Sequence, residues 1–532
     1  MQQTKTAQTN KRLIILIGLI ALVLVTLGFV WYRAAQLGLA DVPGDSLNSA
    51  ATQYRKVESN SFLTDVHRER PFAARDTKAP DHERTYLAHI ESVVARTDWK
   101  TKSEQYPEAV TATYSMLQAE QGTSTLRLTP ETIIDDSSTR RALGTPAQRS
   151  VVVDQDGSVV VLYRKVYNDT LQAFASELQH TGDERYILNR AIQPFSKRAL
   201  GIDQRAPSGV FDGRGILHAL WTGSDDSAHP RRQQLMHAQT KSSRTFWETI
   251  DMVDYVEGHA DEYPVWQTSP SIIRTGFIEL YAVWDGPDES HEHAQIKFSR
   301  SPNGGDDWRA WENIAPRPGV EFRKPTIIAS KDETLHVFTQ ATRRSGSADP
   351  TQIWYTHSST GDATWANWRT ISNPQHDAKY VSATIHNDAP LVTYRTRTGS
   401  SSQHTAAVVV QRVTATTTSN PLPVYQSSDH QFFPQIATIK DGDAVCVSWV
   451  EEDRASGFPS EVVTDGDILL SCTKDPLGQT DTWDTFNITP HGSHLRPALP
   501  QRTDDTLLPL AYYDDDTKQI KLRLVDTESI LF

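Results

Sequence analysis

The chain has 532 residues, two cysteines and a formal net charge of −13. Such length leaves room for a repeat architecture beyond one ordinary core. The acidic balance argues against nucleic-acid binding, which wants a basic surface, and fits a soluble exported body.

Residues 1–12 carry Lys5, Lys11 and Arg12 and read as a cytoplasmic tail. Leu13 to Tyr32 is an almost unbroken apolar run of the length that spans a bilayer as a helix. Only Arg33 follows closely before Asp41 and Asp45, so the positive-inside bias puts the N-terminus in the cytoplasm and the bulk in the periplasm or outside the cell. This predicts a single-pass, uncleaved signal anchor. The competing reading is a cleaved signal peptide, with Gly38 and Ala40 as small residues at the cut. Residues 33–105 read as a polar stalk, with helical spacing of Leu87, Ile90, Val93 and Val94 over residues 85–99.

From residue 106 to the end the chain repeats itself. Inner strands are expected to begin near Arg149, Pro207, Pro270, Pro325, Tyr380, Pro434 and Pro497, at intervals of roughly 54 to 63 residues. Each start leads to a strongly apolar second strand, such as Ile216 to Trp221, Phe277 to Trp284 and Ala444 to Trp449. Several units end on a Trp-led strand, as at Trp247, Trp311, Trp368 and Trp483. The second strands are apolar on both faces, as strands between packed neighbours must be. The expected fold is an all-β, seven-bladed β-propeller; six blades plus a separate β-element is the alternative. The last unit is short, so a strand at Ala109 to Tyr114 or Ser124 to Leu128 is expected to complete it and remove an exposed edge.

Ser301-Pro-Asn-Gly-Gly-Asp-Asp-Trp308 resembles the Asp-box (BNR) turn of sialidase-like propellers, with Asn303 in place of the Asp and Asp307 in place of the Thr. Ser358 to Trp365 and Thr240 to Trp247 keep the register in degraded form. In that superfamily the turn marks the fold and lies away from the ligand. The chain departs from true sialidases in its seven units. It also lacks an Arg-Ile-Pro start in the first; the nearest matches are Phe322 to Pro325, Leu495 to Pro497, and Glu69 to Pro71 ahead of the repeats. The resemblance implies a glycoside hydrolase or polysaccharide lyase acting on acidic glycans, or a non-catalytic relative.

Propellers hold ligands over the channel, on loops that enter first strands and leave second strands. Arginine forks bind carboxylates bidentately, so Arg323, Arg343, Arg395 and Arg496 are the candidate substrate-binding residues. In sialidases three arginines hold the sugar carboxylate, a Tyr–Glu pair is the nucleophile and an Asp is the acid. By that resemblance Tyr513 or Tyr380, Glu451 and Asp285 are the catalytic candidates. No phosphate loop, nucleophile elbow or zinc-protease helix occurs, and no cofactor or metal is expected. Cys446 and Cys472 fall on neighbouring strands of the sixth unit, which fits either a disulfide or two buried thiols. Two partners remain open: an acidic glycan, or a protein in an envelope or surface assembly.

Overall fold

Short β-branched and aromatic runs punctuated by Gly, Asp and Pro turns build mostly hairpins here. The computed structural model describes residues 126–531, less 137, 181–185, 191–202, 206, 224–233, 241–246, 249–265, 289, 345–348, 360–363, 401–402, 428, 453–465, 479–482 and 490–491. The expected tail, anchor and stalk, with the helix at 85–99, lie outside the described residues. Among those residues no helix is long and apolar enough to cross a membrane.

Seven sheets follow one another along the chain, antiparallel but for one short parallel pairing, of Thr438–Ile439 with Arg502–Thr503, in the sixth. Blade 1 is Val151–Val153, Val159–Tyr167, Thr170–His180 and Tyr186–Arg190; blade 2 is Ser208–Phe211, Leu217–Gly223, Gln234–Thr240 and Trp247–Glu248. Blade 3 is Thr268–Thr275, Glu279–Asp288, His291–Ser301 and Glu312–Asn313; blade 4 is Val320–Ala329, Leu335–Arg343, Gln352–Ser358 and Arg369–Thr370. Blade 5 is Asp377–His386, Ala389–Ser400, Gln403–Arg412 and Leu422–Ser427; blade 6 is His430–Ile439, Ala444–Glu452, Asp467–Thr473 and Asp484–Asn487. Blade 7 is His494–Ala498, Leu507–Asp514 and Gln519–Asp526. Its outer edge is closed by Arg127–Leu128 and Thr132–Asp135, both antiparallel to Gln519–Asp526. The ring is therefore fastened by chain from before the first repeat, as the short last unit required, and the six-bladed alternative falls.

The core lies between blades. Leu335 and Val337 pack toward blade 3 with Tyr281 and Phe298, while Phe338, one residue on, packs toward blade 5 with Val381 and Tyr394. That alternation is why second strands are apolar on both faces. Trp221, Trp284 and Trp449 close such layers with essentially no exposure, each burial contributing about 1.5–3 kcal/mol. Cys446 and Cys472 face each other across blade 6 and form a disulfide.

Apart from that short parallel pairing of Thr438 and Ile439 with Arg502 and Thr503 in blade 6, the innermost strands have one edge without a ladder partner among the described residues, facing the channel. Side chains of adjacent blades satisfy part of it. The Ile327 amide donates to Ser271 Oγ, Ile436 to Ser382 Oγ, Arg149 to Ser208 Oγ and Leu499 to Gln435 Oε1. Buried amides need such partners. Five inner strands also begin two to five residues earlier than the sequence indicated, at Thr268, Val320, Asp377, His430 and His494. The prolines expected to open four of them sit inside, because a channel-side edge has no ladder bond for proline to break.

Candidate anion-binding site at the channel mouth

Those five strands share one defect. Register slips by one residue between Thr268 and Ser271, Arg323 and Thr326, Lys379 and Ser382, Phe432 and Gln435, and Leu495 and Ala498. Inside each slip one residue holds a left-handed backbone: Ser269 (φ 53°), Lys324 (52°), Tyr380 (63°), Phe433 (54°) and Arg496 (54°). Each costs on the order of 1–3 kcal/mol. Bulges of this kind re-aim side chains, and the consequence is visible around the ring. Lys324 Nζ lies 5.4 Å from the Tyr380 ring centroid, Tyr380 meets Phe433 edge-on at 4.8 Å, and the Arg496 guanidinium lies 4.7 Å over Phe433. Bulge residues of blades 4 to 7 thus touch in series.

Asp285, at the end of the second strand of blade 3, anchors one side. It is fully buried and accepts from Thr268 Oγ1 (2.9 Å), the Lys324 amide (3.1 Å) and Arg323 Nη1 (3.3 Å). Burial raises its pKa despite Arg323. Arg323 stacks on Trp266 at 3.9 Å and shares Glu321 with Arg344. Burial alone would raise the Glu321 carboxyl, but the two guanidinia hold it below its ordinary value. Arg395 is buried against Tyr380 (5.0 Å) and Phe432 (5.6 Å) and pairs with Asp377 at 3.2 Å, while its Nε has no hydrogen-bond partner.

Opposite lies a group of cations with no salt-bridging carboxylate among the described residues. Arg496 donates to the Gly144 carbonyl (3.2 Å), Arg164 to the Arg141 carbonyl (2.9 Å), and Arg149 reaches from blade 1 to the Ile327 carbonyl of blade 4 at 2.6 Å, bridging the channel. Burial, then the charges of Arg141 and Arg164, pull the Arg496 guanidinium down to about 10. Burial, then Arg205 and Arg141, do the same to Arg164 against the opposing charge of Asp203, and burial alone brings Arg149 to about 9. An arginine stays protonated at such values. The fold therefore carries the repulsion and desolvation, and an entering anion would relieve both.

Of the residues singled out from sequence, the fold brings Asp285, Arg323, Tyr380, Arg395 and Arg496 to this mouth. Three lie elsewhere. Glu451 accepts from the Tyr425 hydroxyl (3.3 Å), on the outer strand of blade 5. Tyr513 is buried where the closing segment meets blade 7, its hydroxyl 3.5 Å from the Ser138 carbonyl and pushed up to about 12 by burial. Arg343 is exposed at the rim of blade 4. Arg141, Arg149 and Arg164 went unremarked as site residues, although Arg149 marks the expected start of the first inner strand and Arg164 directly follows the apolar run of the first second strand. The bulge residues did carry a signal, being the residues just before the recurring prolines at 270, 325, 434 and 497.

The turn that resembles an Asp-box lies at the opposite end of blade 3, since Ser301 pairs with Leu280 and Asp285 with Ile296. Ser301 Oγ accepts from the Gly305 amide (2.8 Å), Asn303 Oδ1 from the Asp307 amide (3.0 Å), and Trp308 packs edge-on against His237. Its role is structural. Among the described residues no group of three or more His, Cys, Asp or Glu side chains is arranged to hold a metal ion. The Asp514 to Asp516 run is spent on Lys521, Arg140, Lys518 and the Ser493 amide.

No family model and no curated protein matches the chain. Among solved structures it is similar to a polysaccharide lyase (10% identity, 75% of this chain and 99% of that one, TM-score 0.48). It is also similar to a Hadza microbial sialidase (11%, 70% and 74%, 0.42) and to a Trypanosoma rangeli sialidase (12%, 60% and 54%, 0.39). Each of these TM-scores lies below 0.5 and each identity near one in ten. Identity this low carries no activity across.

Proposed function

We propose that the protein binds a carboxylate-bearing glycan at the channel mouth, held outside the cytoplasm by a single-pass anchor over residues 13–32. The observation that carries this reading is the set of Arg141, Arg164 and Arg496, which meet around the 141–144 loop and have no salt-bridging carboxylate among the described residues. A wall of low dielectric around like charges focuses their field on an incoming anion. The disulfide supports an oxidising compartment.

Binding is favoured over turnover by Asp285. This carboxylate is closed off from solvent and engaged by three donors, so it orients Arg323 instead of offering a proton. Glu321 and Asp377, two acids at the mouth among the described residues, are each paired with arginine.

The test is a glycan array with the full chain in detergent, beside Arg164→Ala and Arg496→Ala. Acidic glycans are expected to bind, and each variant to lose about tenfold, the worth of one charge-assisted hydrogen bond. Folded variants that bind as the parent does, or a parent that binds no acidic glycan, would move the reading to a protein-binding scaffold. Hydrolysis or elimination of a bound glycan would restore the enzyme reading.

A further inference from the structure

A cavity of about 510 Å³ opens at the rim of blade 4, lined by Arg317, Pro318, Gly319, Val320, Arg343, Arg344 and Trp354. Pro318 to Val320 supply an apolar wall. Arg317 lies over the Trp354 ring at 5.3 Å, and Arg343 has no acidic partner among the described residues. The cavity is connected to the channel mouth through one acid. Glu321 gives Oε1 to Arg323, at the mouth, and Oε2 to Arg344, in the cavity wall. Val320 pairs with Arg343 and Arg323 with Gln340 on the same two strands, so cavity and mouth are three residues apart, roughly 10 Å along the strand.

Taking the anionic-glycan reading as its basis, we infer that this cavity is a second subsite, and that the ligand is a polymer with repeated negative charge and not a terminal monosaccharide. A single sugar carboxylate at the mouth leaves Arg317 and Arg343 unused. An extended chain leaving the mouth past Glu321 presents its next charges to them. Glu321 itself is saturated by two guanidinia, so it neutralises the path without repelling the polymer at full strength. Two linked sites convert the second contact into an intramolecular one, so affinity should climb with chain length until both are filled.

The experiment is calorimetric titration of the full chain with galacturonate monomer, dimer, tetramer and hexamer, and with hyaluronan oligomers of matched length. Arg343→Ala, Arg317→Ala and Arg496→Ala are measured beside the parent. Both rim arginines are exposed, so their variants should fold. In the parent the hexamer is expected to bind at least tenfold more tightly than the monomer. Arg343→Ala and Arg317→Ala should each remove about tenfold from the hexamer and leave the monomer unchanged. Arg496→Ala should weaken both. Rim variants that leave hexamer affinity intact while Arg496→Ala lowers it would overturn the second subsite and keep the mouth. No binding by either series, or indifference to Arg496→Ala, would overturn the mouth and the subsite together.

Discussion

The closure of the ring makes the sharpest energetic prediction. Glu131, in the segment that joins the two closing strands, accepts from Arg523 Nη2 (2.8 Å) and lies 3.0 Å from Lys521 Nζ; the Tyr512 hydroxyl also donates to it. All three partners belong to blade 7. Burial by itself would raise this carboxyl, but Arg523, Lys521 and Tyr512 outweigh it and hold it at about 2, against an ordinary 4.5. At about 1.36 kcal/mol per pKa unit, this difference amounts to about 3 kcal/mol at neutral pH. Because the folded value is depressed, the stabilisation is complete above pH 4.5 and is lost as pH falls from there toward 2. Glu131→Gln should therefore cost about 3 kcal/mol at pH 7. Over about 400 residues, at about 2.1 cal/mol/K each, that lowers Tm by about 4 °C. Differential scanning fluorimetry of parent and variant from pH 7 down to pH 3 reads both the gap and its closure. A variant within a degree of the parent at pH 7, or a gap that does not shrink on acidification, would refute the electrostatic account of ring closure.

Two further predictions concern stability and its conflict with binding. Burial raises the Asp285 carboxyl, so its charged form opposes folding above its ordinary pKa. Asp285→Asn should unfold no earlier than the parent at pH 7 while weakening binding of acidic glycans, because Arg323 loses its contact with the buried carboxylate; a variant that melts well below the parent would contradict this. The Cys446–Cys472 bond closes a loop of 26 residues, worth about 3.5 kcal/mol on the chain-entropy account. Reduction should lower Tm by about 4 °C, and Cys446→Ala should match it and respond no further to reductant.

Blade number and order were legible along the chain because a propeller blade is a local object. The apolar runs at Val159–Tyr167 and Ala444–Glu452 carry their own strand signal, and each pairs with its immediate neighbours in sequence. The need for an outside strand on blade 7 was legible for the same reason, as a count that came up short.

The mouth is the opposite case. A residue before proline is ordinarily extended, yet Ser269, Lys324, Phe433 and Arg496 are left-handed there. Their strain is tolerated because packing against adjacent blades over-determines it. Arg496 comes within reach of Arg141 and Arg164 only when the ring closes, across more than three hundred residues of chain. Glu451, Tyr513 and Asp285 all lie toward the ends of second strands, and it is their partners in the folded ring, Tyr425, Ser138 and Arg323, that separate them. Local pattern determines strands and blades through backbone chemistry that acts over a few residues. Which charges meet, and which are left without a partner, was decided by the tertiary ring, because Coulomb interactions follow distance in space and ignore distance along the chain.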